Sequence, residues 1–371
     1  MAKKKVVESE ITKELSDKAT DTVLETINKK YGNVITTMAE VEDHIETIST
    51  GSISLDAALG RGGLAFGRIY EVYGPPMSGK STFGVHVIIQ AQRRGLRCAY
   101  FDAERAVDPK LFAKYGVDLA KCDIVKQHGG EANFDILEKL IRTGSYKVMV
   151  IDSVSALVPL AEIEAEMEKD SMALLARLMS KALRKITPQA DEKGVLLIFV
   201  NQIRHKIGTY GNPETTSGGD ALDFYCTGRI AMRGPESKVR RIIDPVTLDT
   251  IGHLSEYEIT KNKLAPPFKK TKLQLIYGEG YNTYWEVLTL ACDLGIIDKS
   301  GTWFKYEGEI IGQGETSAIE KLKSDFSMFT TIKNKLIEMM NIQETYVAHS
   351  NPGPLFANAN ISSIPSEKSS S

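Results

Sequence analysis

The run Gly74-Pro75-Pro76-Met77-Ser78-Gly79-Lys80-Ser81 constrains this chain more than any other stretch, because it fits the spacing GxxxxGK[ST]. Such a loop works only between a strand and a helix. Its glycines let main-chain N–H groups converge on phosphate oxygens, and the helix N-terminus adds partial positive charge. Both flanks are present: residues 68–73 read as a strand and 82–94 as a helix. Within the cradle Gly74 to Thr82, Lys80 is expected to reach the β- and γ-phosphates and Ser81 to hold Mg²⁺.

The surrounding pattern repeats strand and helix. Residues 98–102 read as a second strand, and a helix carries Phe134, Leu137, Leu140 and Ile141. Residues 148–151 and 195–200 are continuous apolar runs too short for helices, as expected of strands covered on both faces. This alternation predicts an α/β domain with a largely parallel sheet. Ahead of it, residues 13–30 read as a helix with Leu15, Ala19, Val23 and Ile27 on one face, ended by Gly32. Beyond Phe268 a helix over 284–294, short strands over 303–306 and 309–311, and a helix over 332–340 predict a small α+β domain. The expected divisions are 1–45, 46–281, 282–341, and a disordered tail over 342–371, rich in Asn, Ser and Pro from Asn351.

Composition narrows the function classes. A net charge of −2 gives no global attraction to nucleic acid, so any such binding must come from a local basic surface. Cys98, Cys122, Cys226 and Cys292 are scattered without CxxC spacing, which argues against a zinc site or disulfide framework and suits a reducing compartment. No early apolar stretch follows Met1, and no run of about 18 apolar residues could cross a bilayer. A cytosolic protein with no membrane partner is expected.

Three strand ends carry polar groups suited to phosphate chemistry. Asp152 closes the run from Val148; beside a phosphate loop it would hold Mg²⁺ through water, although many buried strands end in Asp simply for turns. Glu104, after Phe101-Asp102-Ala103, can serve as general base toward an attacking water or be a surface carboxylate. The Gln202 amide, at the end of the 195–200 strand, can sense the γ-phosphate or make a structural hydrogen bond.

Two further segments can meet a polyanion. Over 171–186, Leu175, Leu178, Met179, Ala182 and Ile186 share one helical face, while Arg177, Lys181 and Arg184 lie opposite. Such a stripe is commonly only a solvated face. Residues 203–224 include Gly208, Gly211, Gly218 and Gly219 beside Arg204, Lys206, Thr215, Thr216 and Ser217; a segment of this composition can order around phosphates without reading sequence, with Ile207 able to insert between bases.

Taken in order, Glu46-Thr47-Ile48-Ser49-Thr50-Gly51, the phosphate loop, Asp102-Ala103-Glu104, Val150-Ile151-Asp152-Ser153, Asn201-Gln202-Ile203-Arg204, Gly211-Asn212-Pro213-Glu214-Thr215-Thr216, Gly218-Gly219, Lys261-Asn262-Lys263 and Tyr277-Gly278-Glu279-Gly280 resemble the bacterial RecA family. The resemblance spans about 15–325 at near-constant spacing. It implies a RecA-like P-loop ATPase core, an N-terminal polymerisation segment and a small C-terminal domain. The implied function is ATP-dependent homologous recombination and DNA repair, through helical filaments on single-stranded DNA that pair with duplex DNA. It implies Glu104 as catalytic base, Gln202 as the γ-phosphate-responsive residue, Lys261 and Lys263 reaching ATP on a neighbouring protomer, and Asp108 and Tyr277 around the adenine. Met172, Arg177, Ser180 and Arg184 match the first DNA loop, and residues 203–224 the second. Further copies of the chain, loader proteins and self-cleaving repressors are the implied protein partners.

Four departures stand out: Leu111 where the family commonly places an aromatic, a second loop one residue shorter near Thr209-Tyr210, the carboxylate of Asp220 near the phosphate path, and a tail without strong acidity. Two other readings share the ATPase core. A ring-forming helicase would lack the Lys261/Lys263 segment and the paired loops, and a filament scaffold would not need Glu104.

Overall fold

The computed structural model describes residues 19–32, 34–39, 45–164, 172–205, 214–234, 241–244 and 246–342. These fall into two compact units, Met1–Ile45 and Glu46–Ser371. In the first, a helix runs over 19–31, and the Asn28 side chain both donates to the Ile35 carbonyl and accepts from its N–H, at 2.9 Å each. Ala19 and Val23 of the expected apolar face are exposed, and Leu15 lies outside the described residues.

The second unit is organised by one large sheet. Its path runs Gly280–Tyr281, Lys270–Ile276, Thr250–Asn262, Gly228–Arg233, Ile69–Gly74, Leu196–His205, Tyr146–Asp152, Arg97–Asp102 and Cys122–Val125. The six strands from Gly228–Arg233 to Cys122–Val125 pair in parallel, and the other three add on antiparallel. The strand leading into the phosphate loop is central, flanked by strands that come much later in the chain. A sheet wound outward from such a strand opens a crevice at its carboxyl end.

The apolar runs follow from covering on both faces. Val148 and Val150 pack into one core with Val72, Val87, Ile88, Ile198 and Val200. Met149 and Ile151 alternate into the opposite core with Phe101, Leu137, Ile186, Leu197 and Phe199. The run from Val195 extends further than its apolar pattern: the strand continues through Asn201 and Gln202 to His205 and pairs antiparallel with Glu214–Thr216. Gln202 therefore sits within a strand and not at its end, because a second ladder takes over where the parallel one stops.

Residues 283–342 build a third core on a three-stranded antiparallel sheet, Ile297–Ser300, Trp303–Tyr306 and Glu309–Gln313, with the helices Thr283–Asp293, Glu315–Ser324 and Phe326–Met339. Ile53, from the helix Ile53–Leu59, packs into it. Beside that contact Glu286 is buried, accepting Ser52 Oγ at 2.5 Å, Ser54 N at 2.9 Å and Ser54 Oγ at 2.7 Å. Asp56, on the same short helix, accepts Ser49 Oγ, Thr50 N and Thr50 Oγ1, yet burial outweighs these bonds and pushes its pKa up to about 8. Among the described residues no helix is long and apolar enough to cross a membrane.

Candidate functional site

Strand register brings the polar strand ends together. Gly74 is level with Gln202, Asp152 with Val200, and Asp102 with Asp152. At Gly74 the chain turns away from the sheet so tightly that a Cβ would lie 2.4 Å from the Met232 carbonyl oxygen and 2.8 Å from Ser78 Oγ. Gly79 supplies the left-handed conformation, φ 95°, from which the helix Lys80–Arg93 starts. Met77 is also held at positive φ and is exposed.

The loop's polar groups are preset. Lys80 Nζ donates to the Pro75 carbonyl at 2.7 Å; burial lowers its pKa, with Asp152 and Glu104 acting in the opposite direction. Ser78 is buried and its Oγ has no partner, while its carbonyl accepts Ser255 Oγ at 3.1 Å. Ser81 Oγ and Tyr100 OH both donate to Asp152 Oδ2 at 2.5 Å. Burial raises the pKa of Asp152 despite those two bonds.

Glu104 is placed by its neighbours' backbone. Ala103 N and Glu104 N donate to the Asp152 carbonyl at 2.8 and 3.3 Å, while the Asp102 carboxylate accepts Ala106 N at 2.9 Å and Val107 N at 3.3 Å. The Glu104 carboxylate then accepts Ser153 Oγ and, at 3.1 Å, Gln202 Nε2. The two groups singled out on separate strands are thus in contact.

Asp108 caps the helix Pro109–Tyr115 by accepting Lys110 N at 2.9 Å, and Leu111 on that helix is 37% exposed. Tyr277 bonds His253 Nδ1 through its hydroxyl at 3.2 Å and is 40% exposed. The turn after it abuts the same helix, since a Cβ on Gly278 would meet Lys114 Nζ at 2.8 Å. Lys261 and Lys263 point elsewhere. Their ammonium groups donate to the carbonyls of Asp223 and Phe224, the latter at 3.1 Å, on the helix Ala221–Tyr225.

The helix Met172–Lys193 buries Met179, Ala182 and Ile186 and leaves Arg177, Lys181 and Arg184 exposed, with no carboxylate partner among the described residues. Ser180 is half-buried between these faces. The second segment packs directly on this helix. A Cβ on Gly218 would meet Met179 Cγ at 3.1 Å, and one on Gly219 would meet Ala176 Cβ at 2.8 Å; both glycines hold positive φ. Thr215 and Thr216 lie in the strand Glu214–Thr216, and Arg204 Nε reaches Ser217 Oγ at 3.5 Å. An open cleft of about 420 Å³ is lined by Ala176 and Ser180 of the helix and by Asp220, Ala221, Phe224 and Tyr225. Lys206 and Ile207 lie outside the described residues; Met172 opens the helix.

Sequence reading missed Glu71, Arg229 and Arg233. Glu71 is fully buried and ion-paired with Arg229 Nε at 2.5 Å. Arg233 clasps Glu214 with two bonds, at 2.8 and 2.6 Å. A signal existed for the first: Glu71 is the lone charge in an apolar strand covered on both faces, where a carboxylate must find a partner. Nothing local in the sequence names that partner.

Known proteins resemble the chain along most of its length. The family model for the RecA N-terminal domain matches residues 18–282, and that for the RecA C-terminal domain matches 285–341. Protein RecA of Teredinibacter turnerae is 44% identical over 323 residues, covering 86% of this chain and 93% of its own. Protein RecA of Mannheimia haemolytica is 44% identical over 342 residues, covering 91% of each chain. Protein RecA of Bartonella quintana is 45% identical over 323 residues, covering 86% and 91% respectively.

Proposed function

Because the chain belongs to the RecA family, we propose that it is a DNA-dependent ATPase that assembles on single-stranded DNA and exchanges that strand with a homologous duplex. The observation that carries the reading is the Gln202–Glu104 hydrogen bond, made by a strand that runs on into the pairing with Glu214–Thr216. One strand thereby spans the distance from the reacting end of a bound nucleotide to a candidate DNA-gripping segment.

The residues present fit ATP with Mg²⁺. The turn at Gly74 leaves no room for a side chain, Ser78 holds an unpartnered buried hydroxyl, and the Ser81 hydroxyl sits on Asp152. Bound there, Mg²⁺ would neutralise phosphate charge, with Ser81 as direct ligand and Asp152 acting through water. Lys80 would exchange the Pro75 carbonyl for phosphate oxygens. Asp108 and Tyr277 would flank the adenine, with Leu111 covering the ring by apolar contact.

In hydrolysis Glu104 takes a proton from the attacking water while Gln202, freed from Glu104, bonds the γ-phosphate. Lys261 and Lys263 extend to the nucleotide of the next protomer, so assembly and nucleotide occupancy reinforce each other. The N-terminal helix and the segment near Thr47 to Thr50 dock on that protomer. Arg177, Ser180, Arg184, Arg204 and the 215–219 backbone hold DNA through its phosphates, with Met172, Lys206 and Ile207 completing the interface; none of this reads sequence. Homology is then tested by base pairing, a division of labour also found in RNA-guided enzymes. The protein acts in the cytoplasm, where loader proteins and self-cleaving repressors are the expected visitors to the filament.

Phosphate release with and without single-stranded DNA, followed by a strand-exchange assay, tests the proposal. Stimulated turnover with exchange is expected. Unwinding without exchange would point to a ring helicase, and neither activity to a scaffold.

A further inference from the structure

Glu71 is the only charged residue in the strand Ile69–Gly74, and it is completely removed from water. Its compensation comes from distant parts of the chain. Oε1 accepts Asn201 Nδ2 at 2.8 Å and Oε2 accepts Arg229 Nε at 2.5 Å. Arg229 lies over the ring of Tyr73 at 4.8 Å and directs two of its four other N–H groups to Thr216 Oγ1 at 3.3 Å and Asp223 Oδ1 at 3.1 Å. Asn201 Nδ2 is shared with the Ser217 carbonyl at 2.8 Å, and Asn201 Oδ1 accepts the backbone N–H of Gln202 at 2.9 Å. Tyr73 OH reaches Thr260 Oγ1 at 3.0 Å, next to Lys261, whose ammonium lies 3.9 Å from Asp223.

Around this pair, set on the strands Ile69–Gly74 and Gly228–Arg233, therefore gather the residue before the γ-phosphate sensor, both flanks of the Ser217–Asp220 turn and, through Tyr73, the strand carrying Lys261. We infer that Glu71, Arg229 and Asn201 are positioning residues that carry nucleotide state to the second DNA segment, with the Glu71–Arg229 pair as the fixed point against which Thr216 and Ser217 are held.

The contact pattern says more than burial requires. Arg229 and Asn201 already satisfy the carboxylate; the bonds that go on to Thr216, Ser217 and Asp223 serve the loop. Burial works against the Arg229 charge, but Glu71 and Tyr73 more than offset it and its pKa is raised, so the guanidinium keeps all its donors. A shift of the 201–202 backbone as Gln202 moves from Glu104 to phosphate reaches Ser217 through a single side chain. Networks of this kind change coupling between sites even where they touch neither ligand.

The inference rests on the nucleotide-to-DNA coupling proposed above, and the test separates the two. Binding of a fluorescent single-stranded oligonucleotide is measured for the full chain with a non-hydrolysable ATP mimic and with ADP, alongside affinity for a fluorescent ADP analogue. For Glu71→Gln and Asn201→Ala, the ratio of DNA affinities in the two nucleotide states is expected to fall by about tenfold, with ADP affinity within about threefold of the parent. An unchanged ratio in folded variants overturns the inference, as does a loss of ADP affinity as large as the loss in ratio, the mark of a merely structural role. Should Glu71→Gln fail to fold, Asn201→Ala, which leaves the ion pair intact, decides alone. If the parent protein shows no nucleotide dependence, the coupling itself is refuted, and the inference with it.

Discussion

Replacing Glu104 by glutamine isolates proton transfer from every other property of the site. The glutamine carbonyl can take the place of the carboxylate oxygen that accepts Ser153 Oγ and Gln202 Nε2, so both contacts survive. Glu104 is exposed, so the change leaves no unpaired buried charge behind. The proposed nucleotide contacts through Lys80 and Ser81 are untouched. The loss is confined to the base, which is worth roughly 10²–10⁴-fold, or about 3–5 kcal/mol of barrier. Phosphate release should be followed at saturating ATP and single-stranded DNA, with oligonucleotide binding measured in parallel. The turnover number should fall by about that factor, the ATP concentration for half-saturation should change little, and DNA bound with ATP should stay bound longer. Turnover within about tenfold of the parent would refute the role of Glu104 as base.

Other perturbations test separate links. The Asp56 pKa is raised from 3.8 to about 8, so the folded chain holds a proton that the unfolded chain releases; the associated stability is complete below about pH 4 and is lost as pH rises through about 8. Asp56→Asn should abolish that dependence, gaining on the order of 4 kcal/mol relative to the parent between about pH 5 and pH 8 in denaturant titrations. Parallel curves for the two proteins would contradict the assignment. Gly74→Ala should weaken nucleotide binding at least about tenfold and cost roughly 1–3 kcal/mol of stability, because its Cβ meets the Met232 carbonyl; calorimetry and thermal melts read both. Arg184→Ala should leave the melting temperature unchanged while lowering the salt slope of single-strand binding by about 0.7, the value for one phosphate contact. An unaltered slope would make Arg184 an ordinary solvated cation.

Legibility in the sequence followed the range of the forces involved. The phosphate loop and its flanking elements were readable because spacing, glycine conformation and helix start all lie within about twenty residues. The parallel core strands were readable because burial on two faces writes an unbroken apolar run. Cys122–Val125 was missed for the converse reason: it forms the partly exposed end of the sheet path. The helix Glu315–Ser324 was missed because only Ala318 and Leu322 are buried along its length, too few to set a period. The helix predicted over 332–340 starts earlier, at Phe326, where Asp325 accepts Met328 N at 3.0 Å as cap. Within the site, Lys80 and Ser81 were readable from the loop spacing and Asp152, Glu104 and Gln202 from the apolar runs they follow, but the 3.1 Å contact between the last two depends on which strands lie adjacent. Glu71 and Arg229 are 158 residues apart, and only folding pairs them. The carbonyls that hold Lys261 and Lys263 were likewise invisible, since main-chain acceptors carry no sequence signal.

Affinity for a labelled single-stranded oligonucleotide, measured in one buffer with no nucleotide, with ADP and with a non-hydrolysable ATP mimic, tests the central claim most directly. Tight binding with the mimic alone is the predicted result, and three matching affinities would contradict the account.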